Sequence, residues 1–320
     1  MSLDSDLIDA ARTAARNAAD VHRVEVGHLG PDDWSEKGTA DFVTEVDREA
    51  ERRIIRHLRD RFPSHAFLAE EGTDTEEDTD TEEPGQSQDG SVEAAVVPPG
   101  GGSPILWIID PLDGTTNWLH GYPEYAVSIA AVDAEGLRAA VVINSATGEE
   151  FDAVRGAGSR CDGQTIRTSD VADLRLGLVG TGFPFKRREL LPGYLRALGD
   201  VLSHSSGVRR AGAAALDLCA LASGRLDAFW EFWLMPWDVA AGVLIVKEAG
   251  GVFEPLRIAD DPAVSAAGTE GARFVRMCSG EAEIEVPGGG AYIAANRHLL
   301  PALCEVLRAD LPGATPEPSS

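Results

Sequence analysis

The stretch from Trp107 to Trp118 reads WIIDPLDGTTNW and decides how the rest of the chain is interpreted. The apolar run before Asp110 predicts a buried strand that ends at this residue. Pro111 fixes one φ angle and Asp113-Gly114 favours a tight turn, so two carboxylates three positions apart are expected at the strand end. Mg²⁺ prefers oxygen donors of this kind, and the Leu112 carbonyl can add a third. The alternative is an ordinary Asp-Gly turn with only local hydrogen bonds.

The residues after this turn, Thr115 to Asn117, have backbone N–H groups that would hold a phosphate as a helix N-terminus does. A related signature, D-x-D-G-T, opens phosphatases of the haloacid dehalogenase type, which attack with an aspartate two residues before the second Asp. That position is Pro111 here, and proline has no nucleophilic side-chain atom. The spacing therefore favours a metal-activated water over a covalent phosphoaspartate.

The composition excludes several classes of function. The 320 residues include 28 Lys+Arg and 53 Asp+Glu, a formal net charge of −25, which disfavours binding to nucleic acid. No apolar run reaches the roughly 18 residues of a membrane span, and no signal-peptide pattern opens the chain, so a cytoplasmic location is expected. Few basic residues are Lys (Lys37, Lys186 and Lys247), and the acidic excess predicts a halophilic protein. The four cysteines lack metal-ligand spacing and are expected to be reduced thiols.

The apolar pattern divides the chain into two halves. Residues 1–170 predict an α+β half, interrupted at 73–104 by an acidic insertion expected to be a mobile surface loop. Its helices are expected at Leu3–His22 and Val46–Phe62, and its strands at Ile105–Asp110, Tyr125–Val132, Leu137–Asn144 and Phe151–Val154. Residues 171–310 predict an α/β half, and 311–320 a frayed tail. Its strands are expected at Leu176–Gly180, Leu226–Phe232 and Tyr292–Ala295, and its helices at Leu190–Leu202, Ala213–Ala222, Val239–Glu248 and Leu299–Ala309.

Two metal ions need more carboxylates than the turn at Asp110 offers, and three other segments supply them. Glu70-Glu71 ends a predicted strand, Asp238 precedes the apolar helix, and Asp47 lies just after Thr44 at the start of the second helix. Each has a structural alternative. Asp238 would be the N-cap of its helix, Thr44 and Asp47 a capping pair, and Glu70-Glu71 the beginning of the insertion.

In this order, these segments resemble the inositol monophosphatase family of Mg²⁺-dependent, lithium-sensitive phosphatases, most closely its bacterial type. The resemblance spans about Leu7 to Leu307. The matching segments are Lys37–Asp47 (KGxxDxVTxxD), Glu70–Gly72 (EEG), Asp110–Asn117 (DPLDGTTN), Gly212–Asp217 (GAAALD) and Trp237–Gly251 (WDVAAGxxIVxEAGG). The resemblance implies a layered αβαβα sandwich, a homodimer, and hydrolysis of a small phosphorylated polyol with two or three Mg²⁺ ions per site.

The resemblance also implies which residues hold metal. Glu70, Asp110 and the Leu112 carbonyl would bind the first Mg²⁺, and Asp110, Asp113 and Asp238 the second. Glu70 and Thr115 would orient the attacking water. Asp47 would be hydrogen-bonded to Thr115 or bound through water to a weaker third ion.

On the substrate side, the resemblance implies three contact regions. The backbone amides of Gly114 and Thr115 would grip the phosphate, and Lys37 would sit near it on a mobile loop. The residues expected along the hydroxyl side are Gly212, Ala214 and Glu231. The segments 73–104 and 257–290 are longer than in the family, which affects the shape of the pocket mouth.

Charge counting supports a metal site, because four carboxylates and a phosphate dianion carry six negative charges and three divalent ions neutralise them. Without metal the carboxylates repel, so we expect raised carboxylate pKa values and folding stabilised by Mg²⁺. Inositol monophosphate is the substrate expected first. Fructose 1,6-bisphosphate is the alternative, followed by adenosine 3′,5′-bisphosphate and histidinol phosphate. A non-enzymatic alternative is an inactive regulatory binding protein of the same fold.

Overall fold

The computed structural model describes residues 3–27, 35–38, 41–72, 105–258, 272–276, 283–287 and 290–310. For residues 35–38, 41–43, 257–258, 272–276, 283–287 and 309–310, only the backbone is described. The predictions for the acidic insertion 73–104, for Cys278 and for the tail 311–320 lie outside the described residues.

The elements of the first half follow the predicted order. They are α1 (Leu3–Glu25), β1 (Ser35–Gly38), β2 (Asp41–Val43), α2 (Glu45–Arg61), β3 (Ala66–Ala69), β4 (Leu106–Asp113), α3 (Thr115–Leu119), β5 (Ala126–Asp133), β6 (Gly136–Asn144), β7 (Glu150–Val154), β8 (Gly158–Cys161) and β9 (Gln164–Thr165). Strands β3 to β9 form one seven-stranded sheet in sequence order. Only the β3–β4 pair is parallel, and the other pairs of this sheet are antiparallel, so β4 to β9 form a meander.

The second half also follows the predicted order, with boundaries shifted by a few residues. Its elements are β10 (Leu178–Thr181), α4 (Leu191–His204), β11 (Gly207–Arg209), α5 (Ala214–Ala222), β12 (Ala228–Leu234), α6 (Pro236–Glu248), β13 (Val252–Pro255), β14 (Arg257–Ile258), β15 (Ala272–Arg276), β16 (Glu283–Pro287), β17 (Gly290–Ala295), α7 (Leu300–Leu307) and β18 (Ala309–Asp310). A five-stranded mixed sheet has the order β11-β10-β12-β17-β13. Short two-stranded pairs are formed by β1 with β2, β14 with β18, and β15 with β16.

The helices and the two large sheets stack in five layers. The alanine-rich face of α1 and the apolar face of α2 cover one side of the seven-stranded sheet. Helices α5 and α6 fill the space between the two sheets. Helices α4 and α7 pack on the outer side of the five-stranded sheet. This order of layers is the predicted αβαβα sandwich.

Helix α6 illustrates why the sequence folds into layers. Its residues from Val239 to Val246 are all buried, with Gly242 so close to Leu218 of α5 that an added Cβ would lie 2.5 Å from a Leu218 methyl carbon. A helix that is apolar all round must be covered on every side. Helix α6 meets this requirement by lying between the two sheets.

Strand β4 runs further than predicted, through Asp113 instead of ending at Asp110. Asp110 pairs with Ser128 and Asp113 with Ala126, so three steps on β4 match two steps on β5. In a regular strand, residues three apart point to opposite faces, and the extra residue of this β-bulge returns both carboxylates to one face. Pro111 lies within the bulge and cannot donate to a sheet ladder.

Among the described residues, no helix is long and apolar enough to cross a membrane. Cys219 and Cys304 are buried, Cys161 is half-buried, and all three are free thiols.

Candidate active site

Glu70 is placed beside Asp110 by the parallel pairing of β3 with β4. Ala69 pairs with Ile109, and the Glu70 N–H donates to the Ile109 carbonyl at 3.2 Å. Adjacent strands lie about 4.8 Å apart, so Glu70, the residue after Ala69, lies next to Asp110, the residue after Ile109. Two carboxylates about 40 positions apart in sequence thus meet at one sheet edge.

The carboxylates of Asp110 and Asp113 are held by backbone N–H groups. Asp110 Oδ1 accepts from the Leu112 N–H at 3.0 Å, and Asp113 Oδ2 accepts from the Ala215 N–H at 2.8 Å. The residue before α5, Ala213, offers no side-chain cap, so Asp113 supplies the missing acceptor at that helix start. Both side chains are buried, at 1% and 8% exposure.

Asp238 reaches the same region from the start of α6. The helix begins at Pro236 and not at Val239 as predicted, so the structural alternative in which Asp238 is its N-cap is wrong. The proline sits in the first turn, where its missing N–H costs no helix bond, and this moves the helix start three residues earlier. Asp238 Oδ2 instead accepts from the Met235 N–H at 2.6 Å, as the third helical residue does in a capping box.

Asp47 and Thr115 meet across 68 positions of sequence. The Thr115 hydroxyl lies 3.1 Å from Asp47 Oδ1 and 3.0 Å from the Leu112 carbonyl oxygen. The other oxygen of Asp47 accepts from the N–H and hydroxyl of Thr44, which completes the capping box predicted for α2. The Asp47 carboxylate therefore caps α2 with one oxygen and contacts Thr115 with the other.

Burial and mutual repulsion raise the pKa values of these acids. Burial raises the pKa of Asp110 well above its usual range, and the charges of Glu70, Asp113 and Asp238 add to it. Burial, with the charge of Asp238, raises the pKa of Asp113 to about 8. Burial also raises the pKa of Asp47 to about 6, against hydrogen bonds from Thr44 that lower it. The predicted rise in carboxylate pKa values is confirmed for these three residues.

The donor set fits a hard divalent cation such as Mg²⁺. Four carboxylates and the Leu112 carbonyl offer only oxygen, and Asp110 and Asp113 have no Lys, Arg or His within 4.0 Å in the part of the chain that the structure describes. Buried carboxylates without a cationic partner are costly, and a bound cation removes that cost. Among the described residues, no three of these carboxylates have oxygens within 4.8 Å of one another, so Asp110, Asp113 and Asp238 must move closer together to hold one ion.

A cavity of about 330 Å³ joins the residues predicted to bind metal to the residues predicted for the substrate. Gly114, Gly212, Ala214 and Glu231 all line it, together with Glu70, Asp110, Leu112, Asp113, Thr115 and Asp238. The pKa of Glu231 is raised well above its usual range, first by burial and then by the charges of Asp217 and Asp238. Gly182 makes room for this side chain, since a Cβ there would lie 1.9 Å from Glu231 Oε1.

Two predicted site residues do not line the cavity: Asp47, which contacts the lining residue Thr115, and Lys37. Lys37 lies on β1, and its side chain is outside the described part of the structure. The lysine that the structure does place near the acids is Lys186, whose Nζ is 4.0 Å from Glu70 Oε1.

The sequence analysis assigned no role to several other residues that line the cavity. They are Gly182, Phe183, Phe185, Lys186, Arg187, Arg210, Asp217 and Trp233. Five of them belong to the segment Gly182–Arg187, which follows β10 and combines two aromatic rings with two cations. That composition at the end of a predicted strand is a signal that could have pointed to the site.

A comparison with known sequences now identifies the family. The profile of the inositol monophosphatase family matches residues 3–268. The chain belongs to the inositol monophosphatase family. Nus factor SuhB of Pseudomonas aeruginosa is 42% identical over 248 residues, which are 77% of this chain and 84% of that protein. Nus factor SuhB of Escherichia coli (strain K12) is 38% identical over 248 residues, with the same shares of each chain.

Solved structures show the same relationship. The extragenic suppressor protein suhB from Bartonella henselae superposes with a TM-score of 0.71 at 32% identity, covering 95% of this chain and 98% of that chain. The inositol monophosphatase from Anabaena (Nostoc) gives a TM-score of 0.67 at 28% identity, covering 95% of both chains. The five-layer fold is therefore the fold of this family.

Proposed function

We propose that this protein hydrolyses a small phosphorylated polyol, with an inositol monophosphate as the first substrate to test. The observation that carries the proposal is the meeting of Glu70, Asp110, Asp113 and Asp238, from four separate segments, at one cavity. Asp110 and Asp113 are buried without a cationic partner among the described residues, as a magnesium site requires. Family membership supports the same chemistry.

Glu70, Asp110 and the Leu112 carbonyl would hold one Mg²⁺, and Asp110, Asp113 and Asp238 a second. When bound, Mg²⁺ lowers the pKa of a water molecule and neutralises charge on a phosphoryl group. The hydrogen bonds from the Leu112 and Ala215 N–H groups fix one oxygen of Asp110 and one of Asp113. These bonds orient the carboxylates before any ion arrives.

Thr115 is positioned to handle the proton of the attacking water. Its single hydroxyl proton faces two acceptors, Asp47 Oδ1 and the Leu112 carbonyl oxygen. When Thr115 donates to Asp47, its lone pairs are available to accept from a water beside Glu70. The raised pKa of Asp47, about 6, suits a group that takes a proton near neutral pH.

The rest of the cavity would bind the substrate. The Gly114 and Thr115 N–H groups lie at the start of α3, where N–H groups have no partner within the helix and favour an anion. Glu231 would accept hydrogen bonds from substrate hydroxyls, with Gly212 and Ala214 leaving room beside it. Lys37 stays a predicted phosphate contact. A homodimer, a cytoplasmic location and adaptation to high salt also stay predictions.

The test is a panel of phosphomonoesters assayed with millimolar Mg²⁺. Inositol 1-phosphate should be hydrolysed, with fructose 1,6-bisphosphate, adenosine 3′,5′-bisphosphate and histidinol phosphate as the alternatives. Glu70→Gln and Asp113→Asn keep the shape of the side chains but remove a charge, and each should lower kcat by at least about 100-fold.

Glu71→Gln is the matched control, because Glu71 is adjacent to Glu70 in sequence and does not line the cavity. Its activity should stay within about threefold of wild type. Full activity of either Glu70→Gln or Asp113→Asn would refute the assigned site. No turnover of any ester would favour the non-enzymatic alternative, a regulatory binding protein with this fold.

A further inference from the structure

One wall of the cavity carries positive charge that the proposed hydrolysis does not use. Lys186 and Arg187 follow β10, and Arg210 follows β11, and all three side chains line the cavity. The Arg210 guanidinium carbon lies 5.1 Å from the ring centre of Phe183 and 5.2 Å from that of Phe185. Contacts of this length with aromatic rings hold a guanidinium in place while leaving its N–H groups free to donate.

The three cations differ in what surrounds them. Lys186 is near Glu70, and Arg187 forms an ion pair with Glu189 and lies 3.9 Å from the ring centre of Trp233. Arg210 forms no ion pair within 4.0 Å in the part of the chain that the structure describes, and it is an exposed residue that lines the cavity. Its charge is therefore available to a ligand.

Arg210 lies beside the residues predicted for the hydroxyl side of the substrate. Its Nη1 is next to Gly212, and Gly212, Glu231 and Arg210 line the same cavity. The charge of Arg210 lowers the pKa values of Glu231 and Asp217, against the burial that raises them.

The loop after Arg210 directs the guanidinium toward the cavity. Gly212 has φ +97°, and a Cβ at this position would lie 2.4 Å from Arg210 Nη1 and 2.9 Å from Asn117 Nδ2. The guanidinium therefore folds back over Gly212, in space that a side chain would occupy. Arg209, the preceding residue, donates instead to the Val208 carbonyl and does not line the cavity.

We propose that Arg210, seated against Phe183 and Phe185, binds a second anionic group of the substrate. The preferred substrate class is a sugar or polyol phosphate that carries a second phosphate or a carboxylate. This assignment rests on the proposed function, because the reacting phosphate must lie at the Asp110–Asp113 end for the other end to reach Arg210. A planar guanidinium pairs with either anion through two parallel hydrogen bonds, whereas a simple polyol brings only neutral hydroxyls to it.

The experiment compares substrates that differ in one group. Fructose 1,6-bisphosphate and fructose 1-phosphate differ by a second phosphate, and 6-phosphogluconate and glucitol 6-phosphate differ by a carboxylate in place of a hydroxymethyl group. Wild-type kcat/KM should be higher for the member with two anionic groups in at least one pair, and the pair that shows it identifies the second anion. Arg210→Gln should lower kcat/KM for that member by at least about tenfold and for its partner by less than about twofold.

Two variants serve as controls. Arg209→Gln removes a neighbouring positive charge outside the cavity. It should leave the ratio of kcat/KM values within each substrate pair unchanged. Arg210→Lys keeps the charge without the planar fork, and should retain part of the preference. Thermal unfolding of each variant shows whether it is folded.

The assignment would be overturned if Arg210→Gln lowered kcat/KM equally for both members of each pair. It would also be overturned if the wild type showed no preference for the member with two anionic groups. In both cases the proposed hydrolysis stands. Failure of the wild type to hydrolyse any phosphomonoester would instead overturn the proposed function and this assignment with it.

Discussion

The metal-free protein should lose stability as the pH rises, and Asp113 should account for much of the loss. The unfolded chain releases the Asp113 proton near its ordinary pKa of 3.8, whereas the folded chain keeps it until the pH reaches about 8. Between these values the folded state binds more protons than the unfolded state. The free energy of unfolding therefore falls as the pH rises across this window.

The size of the effect follows from the width of the window. One proton contributes about 1.4 kcal/mol per pH unit, so the three units from pH 5 to pH 8 correspond to about 4 kcal/mol. For a chain of this size, that is about 6 °C in Tm. Replacing Asp113 by asparagine removes the titrating group and keeps an oxygen that can accept from the Ala215 N–H.

The assay is thermal unfolding in EDTA at several pH values for the wild type and Asp113→Asn. The wild type should lose about 6 °C more than the variant between pH 5 and pH 8. Magnesium should remove or reverse the wild-type trend, because a carboxylate must be deprotonated to bind it. The high negative charge of the chain also makes Tm depend on pH. The control for this effect is Asp60→Asn, which removes the same charge as Asp113→Asn but at an exposed position.

Equal pH dependence of the wild type and Asp113→Asn would refute the reasoning. So would a wild-type Tm that does not respond to millimolar Mg²⁺, because the repulsion among the buried acids would then not be relieved by the cation. A variant that unfolds early at every pH would point instead to the lost helix cap at α5. The change of Tm with pH, and not the Tm at one pH, is therefore the measurement that decides.

The carboxylates of the candidate site could be predicted from the sequence because each lies at the end of a recognisable element. Glu70 follows a short apolar strand, Asp110 ends another, and Asp47 begins a helix with a capping pattern. Strand order could not be derived from those patterns. The parallel pairing that sets Glu70 beside Asp110 joins strands on either side of the segment 73–104, and periodicity says nothing about which strands pair.

Two β-bulges show what periodicity leaves out. Asp110 and Asp113 share one face only because β4 contains an extra residue opposite β5. Strand β12 has a second shift between Glu231 and Leu234, where Trp233 has φ +68°, a left-handed conformation that is costly for a bulky residue. An alternating pattern predicts a regular strand and gives no sign of either shift.

The cationic wall was missed for a different reason. Arg210 and Phe183 are 27 positions apart and belong to different connections, so only the three-dimensional order β11-β10-β12 brings them together. A single arginine in a loop is usually a solvated surface residue. Its significance comes from the aromatic rings beside it and from the absence of a carboxylate within 4.0 Å among the described residues.

Two further substitutions test how the site is held in place. Glu51→Ala removes the carboxylate that accepts from the Glu71 N–H at 2.9 Å, and should raise the Mg²⁺ concentration for half-maximal activity by about tenfold. Glu51→Gln keeps an acceptor and should stay near wild type, so equal effects of the two changes would contradict a positioning role. Gly182→Ala puts a Cβ 1.9 Å from Glu231 Oε1, so the carboxylate must move and KM should rise by about tenfold or more. Because the methyl group acts through Glu231, the double variant with Glu231→Gln should lose little more than Glu231→Gln alone. Additive losses in this cycle would show that Gly182 acts on the backbone of β10 and not on the substrate-binding carboxylate.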